Sequence, residues 1–178
     1  MNTIDTIKTR RSIRKFKETS VPRELLEQVI EAASFAPSWK NSQVTRYIAV
    51  EDSKLKEAFA DTCCGDHNAG IIKPAPLLVA TTIITGRSGY ERDGSFSTVL
   101  GDSWQAFDCG IACQTFCLAA KEFGLDTVII GLYDVEKAQK LLEIPEGQQL
   151  MALIAVGYGD EAPAAPKRKP VETLLTYR

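Results

Sequence analysis

A chain of 178 residues with 44% apolar content is one domain by length, long enough to bury about 70% of the surface its unfolded form exposes. That composition excludes disorder, and no apolar run approaches the ~18 residues a membrane span needs. The first ten residues are polar with no signal-peptide core, so a cytoplasmic protein is expected.

In chain order, Asn2 to Thr9 reads as a short helix with Ile4 and Ile7 on one side, which delivers Arg10-Arg11-Ser12-Ile13-Arg14 at its end. Val21 to Ala36 is a clear amphipathic helix: Pro22 suits its first turn, and Leu25, Leu26, Val29, Ile30 and Ala33 recur at helical spacing. Pro37 stops it, and Ser38 to Ser42 is loop. Arg46 to Val50 reads as a strand, and Asp52 caps a helix carrying Leu55 and Phe59. Cys63 to Ile72 reads as irregular. Pro76 introduces the buried-strand run Leu77-Leu78-Val79-Ala80.

Gly86 to Gly101 is a polar, glycine-bearing interruption holding Tyr90 and Phe96. The longest helix runs from Asp102 to Phe123, apolar nearly all round and stopped by Gly124, so it is expected to be central or at a subunit contact. Asp126 to Ile130 is a short strand, Asp134 caps a helix through Leu142, and Leu150 to Gly157 is the last core strand. Asp160 to Pro170, with Pro163, Pro166 and Pro170, must run extended, while Val171, Leu174 and Leu175 beyond it are able to dock. An arm crossing to a second subunit would explain this pattern. Short strands separated by helices give an α+β fold, a mixed sheet with helices around it.

Charge is unevenly spread over a net −2. Residues 1–17 hold Lys8, Arg10, Arg11, Arg14, Lys15 and Lys17 against the single acid Asp5, and the tail adds Lys167, Arg168 and Lys169. Two basic ends on a mildly acidic body suggest one small anion held between them, whereas a nucleic-acid binder would be basic throughout, so no nucleic-acid partner is expected. Arg grips phosphate oxygens in pairs and does not lose its charge, though a solvated basic turn is the plainer reading of any single Arg-rich pentamer.

Five cysteines follow no disulfide-scaffold spacing. Cys109, Cys113 and Cys117 share one helix face and read as small buried hydrophobes, with no metal implied; the Cys63-Cys64 pair has no clear role. Gly157-Tyr158-Gly159 follows a strand, but prolines come next, not a helix, so the dinucleotide fingerprint fails. His67 reads as a solvated loop residue.

Taken together, Arg10-Arg11-Ser12-Ile13-Arg14, the loop Pro37-Ser38-Trp39-Lys40-Asn41-Ser42-Gln43, the helix at Asp108-Cys109-Gly110-Ile111-Ala112-Cys113-Gln114, the Ile129-Ile130-Gly131 loop and the closing Arg168-Lys169-Pro170 resemble the FMN-dependent nitroreductase family. The likeness runs from about Ile7 to Pro170. It implies a single FMN-binding domain over 1–178, with a central mixed sheet flanked by helices, in an intertwined homodimer whose arm (160–178) is exchanged. It places Arg10, Ser12 and Arg168 at the FMN phosphate, Arg11 on the ribityl side, Lys167 as a helper, and Arg14 near the pyrimidine edge. A cation there would favour the anionic reduced flavin, by the logic of an oxyanion site.

The same resemblance brings Pro37, Ser38, Trp39 and Asn41 to the flavin from the partner subunit, with Gln43 as a brace and Ile130-Gly131 beside the flavin N5. Trp39 stands where the family usually has a small residue, and its indole either lines the pocket or packs outward. Tyr90 and Phe96 are candidates for a substrate pocket. Val44 and Thr45 depart from the family's usual Pro-aromatic pair, and the segment before the long helix is short, so a substrate-covering insertion is reduced or absent.

The implied activity is hydride transfer from NADH or NADPH, through FMN, to a small acceptor such as a nitroaromatic or quinone, with ping-pong kinetics and no compulsory acid–base side chain. The alternative is an FMN-holding redox sensor or flavin carrier with little turnover.

Overall fold

The computed structural model describes residues 2–178. In chain order these form α1 (Thr3–Thr9), α2 (Arg23–Ser34), a short 3-10 turn (Trp39–Asn41), β1 (Thr45–Val50), α3 (Ser53–Cys63), α4 (Asp66–Ile72), β2 (Leu77–Ile84), α5 (Ser103–Glu122), β3 (Asp126–Ile130), α6 (Val135–Leu141), β4 (Gln148–Gly157) and α7 (Val171–Leu174). The sheet order is β1-β2-β4-β3, and every strand pair is antiparallel. A mixed sheet was expected within the fold. The only parallel pairing among the described residues is an isolated bridge between Ser12 and Thr127.

Both faces of the sheet are covered, which is why β2 reads as a continuous apolar run. One face packs Leu78, Ala80, Leu153 and Ala155 with Phe59, Ile71 and Ile72 of α3 and α4. The other packs Leu77, Val79, Ile154 and Val156 with Val29 of α2 and Cys109, Cys113 and Phe116 of α5. Between Thr81 and Thr82 the register with β4 skips Met151. One unpaired residue reverses the alternation, so Leu150 shares a face with Leu153.

The caps form as the sequence predicts at Asp52, which accepts from the Leu55 N–H at 2.7 Å, and at Asp134, which accepts from Lys137 at 3.1 Å. Gly124 follows α5 in a left-handed turn at φ +81°. Two segments differ from expectation. Residues 66–72, expected to be irregular, form α4, which Ile71 and Ile72 anchor in the core despite the helix-weakening Gly70; His67 is therefore helical. Strand β4 starts at Gln148, whose side chain accepts from Thr82 Oγ1 at 2.6 Å, a polar pairing that hydropathy alone does not show.

Helix α5 buries Gln105, Asp108, Cys109, Ala112, Cys113, Phe116, Cys117 and Ala120, a stripe at helical spacing, and leaves Phe107 exposed on its other side. In α1 it is Thr6 that is buried, while Ile4 and Ile7 are exposed. The arm after Asp160 has no regular structure before α7, and Val171, Leu174, Leu175 and Tyr177 lie exposed. No helix of the described residues is long and apolar enough to cross a membrane.

Candidate functional site

The sequence-predicted residues fall into two groups, near opposite ends of α5. The first is a cationic cradle. From the end of α1 the chain enters an extended path: Ile13 N–H donates to the Thr127 carbonyl at 3.0 Å, and Lys17 N–H donates to Tyr158 at 2.8 Å. Ile13 and Phe16 are buried beneath this path and pin it to the sheet. Gly159 permits the close approach, because a Cβ there would lie 2.6 Å from Asp126 Oδ2 and 3.3 Å from Ile13. This gives the glycine after the last strand a packing role.

With the apolar residues turned inward, Arg10, Arg11, Ser12 and Arg14 line a cavity of about 410 Å³ together with Pro163, Ala164, Pro166 and Arg168 of the arm. Lys167, one residue away, is exposed and does not line it. Arg11 Nη1 is folded back on the Lys8 and Arg10 carbonyls at 2.7 and 2.9 Å, and Arg14 Nη1 donates to the Ser12 carbonyl at 3.2 Å. The Glu161 carboxylate enters only as an acceptor for the Arg14 backbone N–H, at 2.6 Å.

Arg11 Nε is buried without a hydrogen-bond partner. An open donor of this kind is costly to bury, about 1–3 kcal/mol. The guanidinium groups of Arg10, Arg14 and Arg168 and the Ser12 hydroxyl line one cavity, a donor set that grips phosphate oxygens, so the residues present fit the phosphate of FMN.

The second group is the loop that follows α2. Trp39 N–H donates to both carboxylate oxygens of Asp108, at 3.1 and 3.0 Å. Asp108 also accepts from Ser88 Oγ at 2.7 Å and, weakly, from Ser42 Oγ at 3.4 Å. Buried at 3% exposure, it gathers the loop, the turn after β2 and α5 at one point. Ser38 Oγ accepts from the Gln43 N–H at 2.9 Å, and Gln43 Nε2 donates to Asn41 Oδ1 at 3.2 Å.

Lys40, Asn41 and Gln43 all hold left-handed backbone, at φ +46°, +53° and +46°. None is glycine, so each carries about 1–3 kcal/mol of strain that the surroundings must hold in place. The Trp39 indole is half-buried against Trp104, with ring centroids 4.7 Å apart and the rings tilted. Pro37, Ser38, Gln43 and Asp108 line a second, more apolar cavity of about 330 Å³ with Val44 to Tyr47 and residues of α2; Asn41 is exposed and does not line it.

The remaining candidates line neither cavity. Ile130 is a core residue at 4% exposure, so only backbone is on offer there; Gly131 is exposed, with open space where a Cβ would stand. Tyr90 and Phe96 face each other across a small hairpin, rings 4.9 Å apart, with Phe96 exposed. The buried cysteines of α5 contact each other and Thr81, and hydrogen bonding to Cys113 together with burial pushes the Cys109 thiol up.

Sequence reasoning missed two contributors. Asp108 was visible only as part of a helix motif; its signal was a carboxylate on an otherwise apolar helical stripe. The other is Glu91, which receives Lys40 Nζ at 3.0 Å and Ser97 Oγ at 2.5 Å. Those two partners, Ser97 first, hold its carboxyl below the usual carboxylate range.

An antiparallel four-stranded sheet between helical layers, with an arginine cradle at one end of the long helix, is the nitroreductase-like α+β architecture. A nitroreductase family protein from Streptococcus pneumoniae superposes with a TM-score of 0.86 at 22% identity, covering 99% of this chain and 100% of that one. The NADPH:FMN oxidoreductase of Vibrio harveyi, solved with NAD+, superposes at 0.81 with 26% identity, covering 99% and 77%. A putative NADH dehydrogenase/NAD(P)H nitroreductase of Methanothermobacter thermautotrophicus is 33% identical over 168 residues, 92% of this chain and 80% of that protein. The sequence signature of the Nitroreductase family matches residues 7–158. The chain belongs to the nitroreductase family, and is an oxidoreductase.

Proposed function

We propose that this protein is an FMN-dependent NAD(P)H oxidoreductase whose site is built by two copies of the chain, the cradle from one and the 37–43 loop from the other. The carrying observation is the cradle itself: three arginines and a serine from one short extended segment converge with Arg168 on one cavity. In this reading Arg10, Ser12 and Arg168 hold the phosphate, with Lys167 as an outer helper and Arg11 toward the ribityl chain. Arg14 lends positive charge at the pyrimidine edge. When bound, FMN supplies the hydride chemistry between NAD(P)H and a nitroaromatic, quinone or related acceptor, which use one site in turn.

The protein's own part is binding, orientation and exclusion of water. The strained loop holds Ser38, Trp39 and Asn41 in a fixed pose, with the Trp39 N–H committed to Asp108 as its anchor, and the Gly131 backbone is the corresponding group after β3. The two-copy arrangement is supported by the spacing within one chain. Arg11 shares a cavity with Lys121, whereas the loop is tied to Asp108. Thirteen residues of helix, about 20 Å, separate those two anchors. The exposed apolar side chains of the arm, Val171, Leu174 and Leu175, suit a docked partner.

The test is an absorption spectrum of the protein incubated with FMN and freed of excess, before and after NADH or NADPH under argon. Protein-bound flavin bands that bleach with one donor are expected. A protein that stays colourless contradicts the proposal, and bound bands that no donor bleaches turn it into the flavin-carrier alternative.

A further inference from the structure

The loop at 38–43 rests on two supports of opposite character. Its base is tied to the buried Asp108 carboxylate. Its tip is tied through Lys40 to Glu91, an ion pair whose side chains are 60% and 47% exposed. Between them lies the Trp39 indole, with Trp104 packed against it and the Lys40 ammonium 5.8 Å from its centroid. Glu91 belongs to the small hairpin closed by the Ser97 N–H to Gly89 and Glu91 N–H to Ser95 bonds, at 2.9 and 2.8 Å. The same hairpin carries the Tyr90–Phe96 pair.

We propose that Lys40 and Glu91 are positioning residues for the electron acceptor: their ion pair holds the aromatic hairpin against the 38–43 loop, and so sets how wide an aromatic acceptor the site admits. The inference rests on the reading of that loop as cofactor-facing. Its physical consequence is specific. An exposed pair is weak, and it weakens further as the Debye length shortens from about 10 Å at 0.1 M salt to about 3 Å at 1 M, so at high salt the tip releases while the Asp108 base stays fixed. Closed, the hairpin favours a one-ring acceptor; released, it admits a two-ring one.

The chain has two tryptophans, Trp39 and Trp104, whose rings are in tilted contact, so indole fluorescence reports this contact without any flavin. In the flavin-free protein, acrylamide quenching is expected to rise with salt. Glu91→Gln should show the high-salt value at every salt concentration, and the charge exchange Lys40→Glu with Glu91→Lys should restore the salt dependence. In the FMN-loaded protein, the KM for naphthoquinone relative to benzoquinone should fall about two- to five-fold in Glu91→Gln.

Quenching that is independent of salt and identical in wild type and Glu91→Gln overturns the latch, as does an exchange variant that fails to restore the salt response. An unmoved KM ratio in a variant that binds FMN and is reduced normally overturns the acceptor role alone. Failure of wild type to take up FMN overturns the cofactor reading, while the fluorescence still decides the latch.

Discussion

In the proposed reading the cradle and the loop solve the same problem, presenting fixed polar groups to a ligand, by opposite means. In the cradle the functional groups are side chains, and the backbone beneath them is ordinary extended chain held by Ile13, Phe16 and bonds to Thr127 and Tyr158. In the loop the useful groups are largely backbone, forced into left-handed conformations at three non-glycine positions, and the stabilising group is a buried carboxylate 69 residues away from Trp39. The first design separates binding from stability. In the second, the strained pose that binding uses is itself a cost to stability.

The largest expected effect follows from that difference. Asp108→Ala leaves the Trp39 N–H and the Ser88 hydroxyl without their charged acceptor and should cost about 3–5 kcal/mol, at roughly 1.5–3 kcal/mol per charged hydrogen bond. For a chain of this size that is a Tm lower by about 10 °C; a change under about 2 °C would show that Asp108 is not the anchor. Arg10→Ala or Arg168→Ala should do the reverse. FMN affinity should fall about ten- to a hundred-fold, measured by flavin titration, while the Tm of the flavin-free protein stays within about 2 °C.

Smaller effects sharpen the contrast. Gly89 sits at φ +82° with the Gly101 carbonyl oxygen 2.3 Å from where a Cβ would stand. Gly89→Ala should therefore destabilise by about 1–3 kcal/mol in urea unfolding and loosen the hairpin. Gln43→Gly removes a left-handed penalty of about 1–2 kcal/mol but adds unfolded-chain entropy, for a net gain of roughly 0.5 kcal/mol. It should also lower FMN affinity, since the loop loses its pose and the Asn41 brace. Stability and binding moving together at Gln43 would contradict strain held for function.

What was legible in the sequence follows the same division. The cradle could be read because charge is a property of residue type: Arg10, Arg11, Ser12, Arg14 and Arg168 converge as their composition suggested. Helices with strong stripes, such as α2, and capped ones, such as α3 and α6, were also visible, because period and cap are local. Asp108 and Glu91 were not assigned, since a carboxylate's role is decided by the distant chain it meets. The all-antiparallel pairing of the sheet was hidden for the same reason: strand order is a tertiary fact. Helix α4 is held by its burial of Ile71 and Ile72, which overrides the weak local propensity at Gly70.

The most direct test of the shared site is subunit complementation. One chain carries Arg10→Ala with Arg168→Ala, the other Asp108→Ala or Asn41→Ala, and the two are unfolded together, refolded and assayed for bound FMN and its reduction. Each alone should be defective. The mixture should regain sites, because a mixed pair has one intact cradle opposite one intact loop. No recovery from two variants that each refold and associate would show that cradle and loop do not meet across two copies, and would contradict the account.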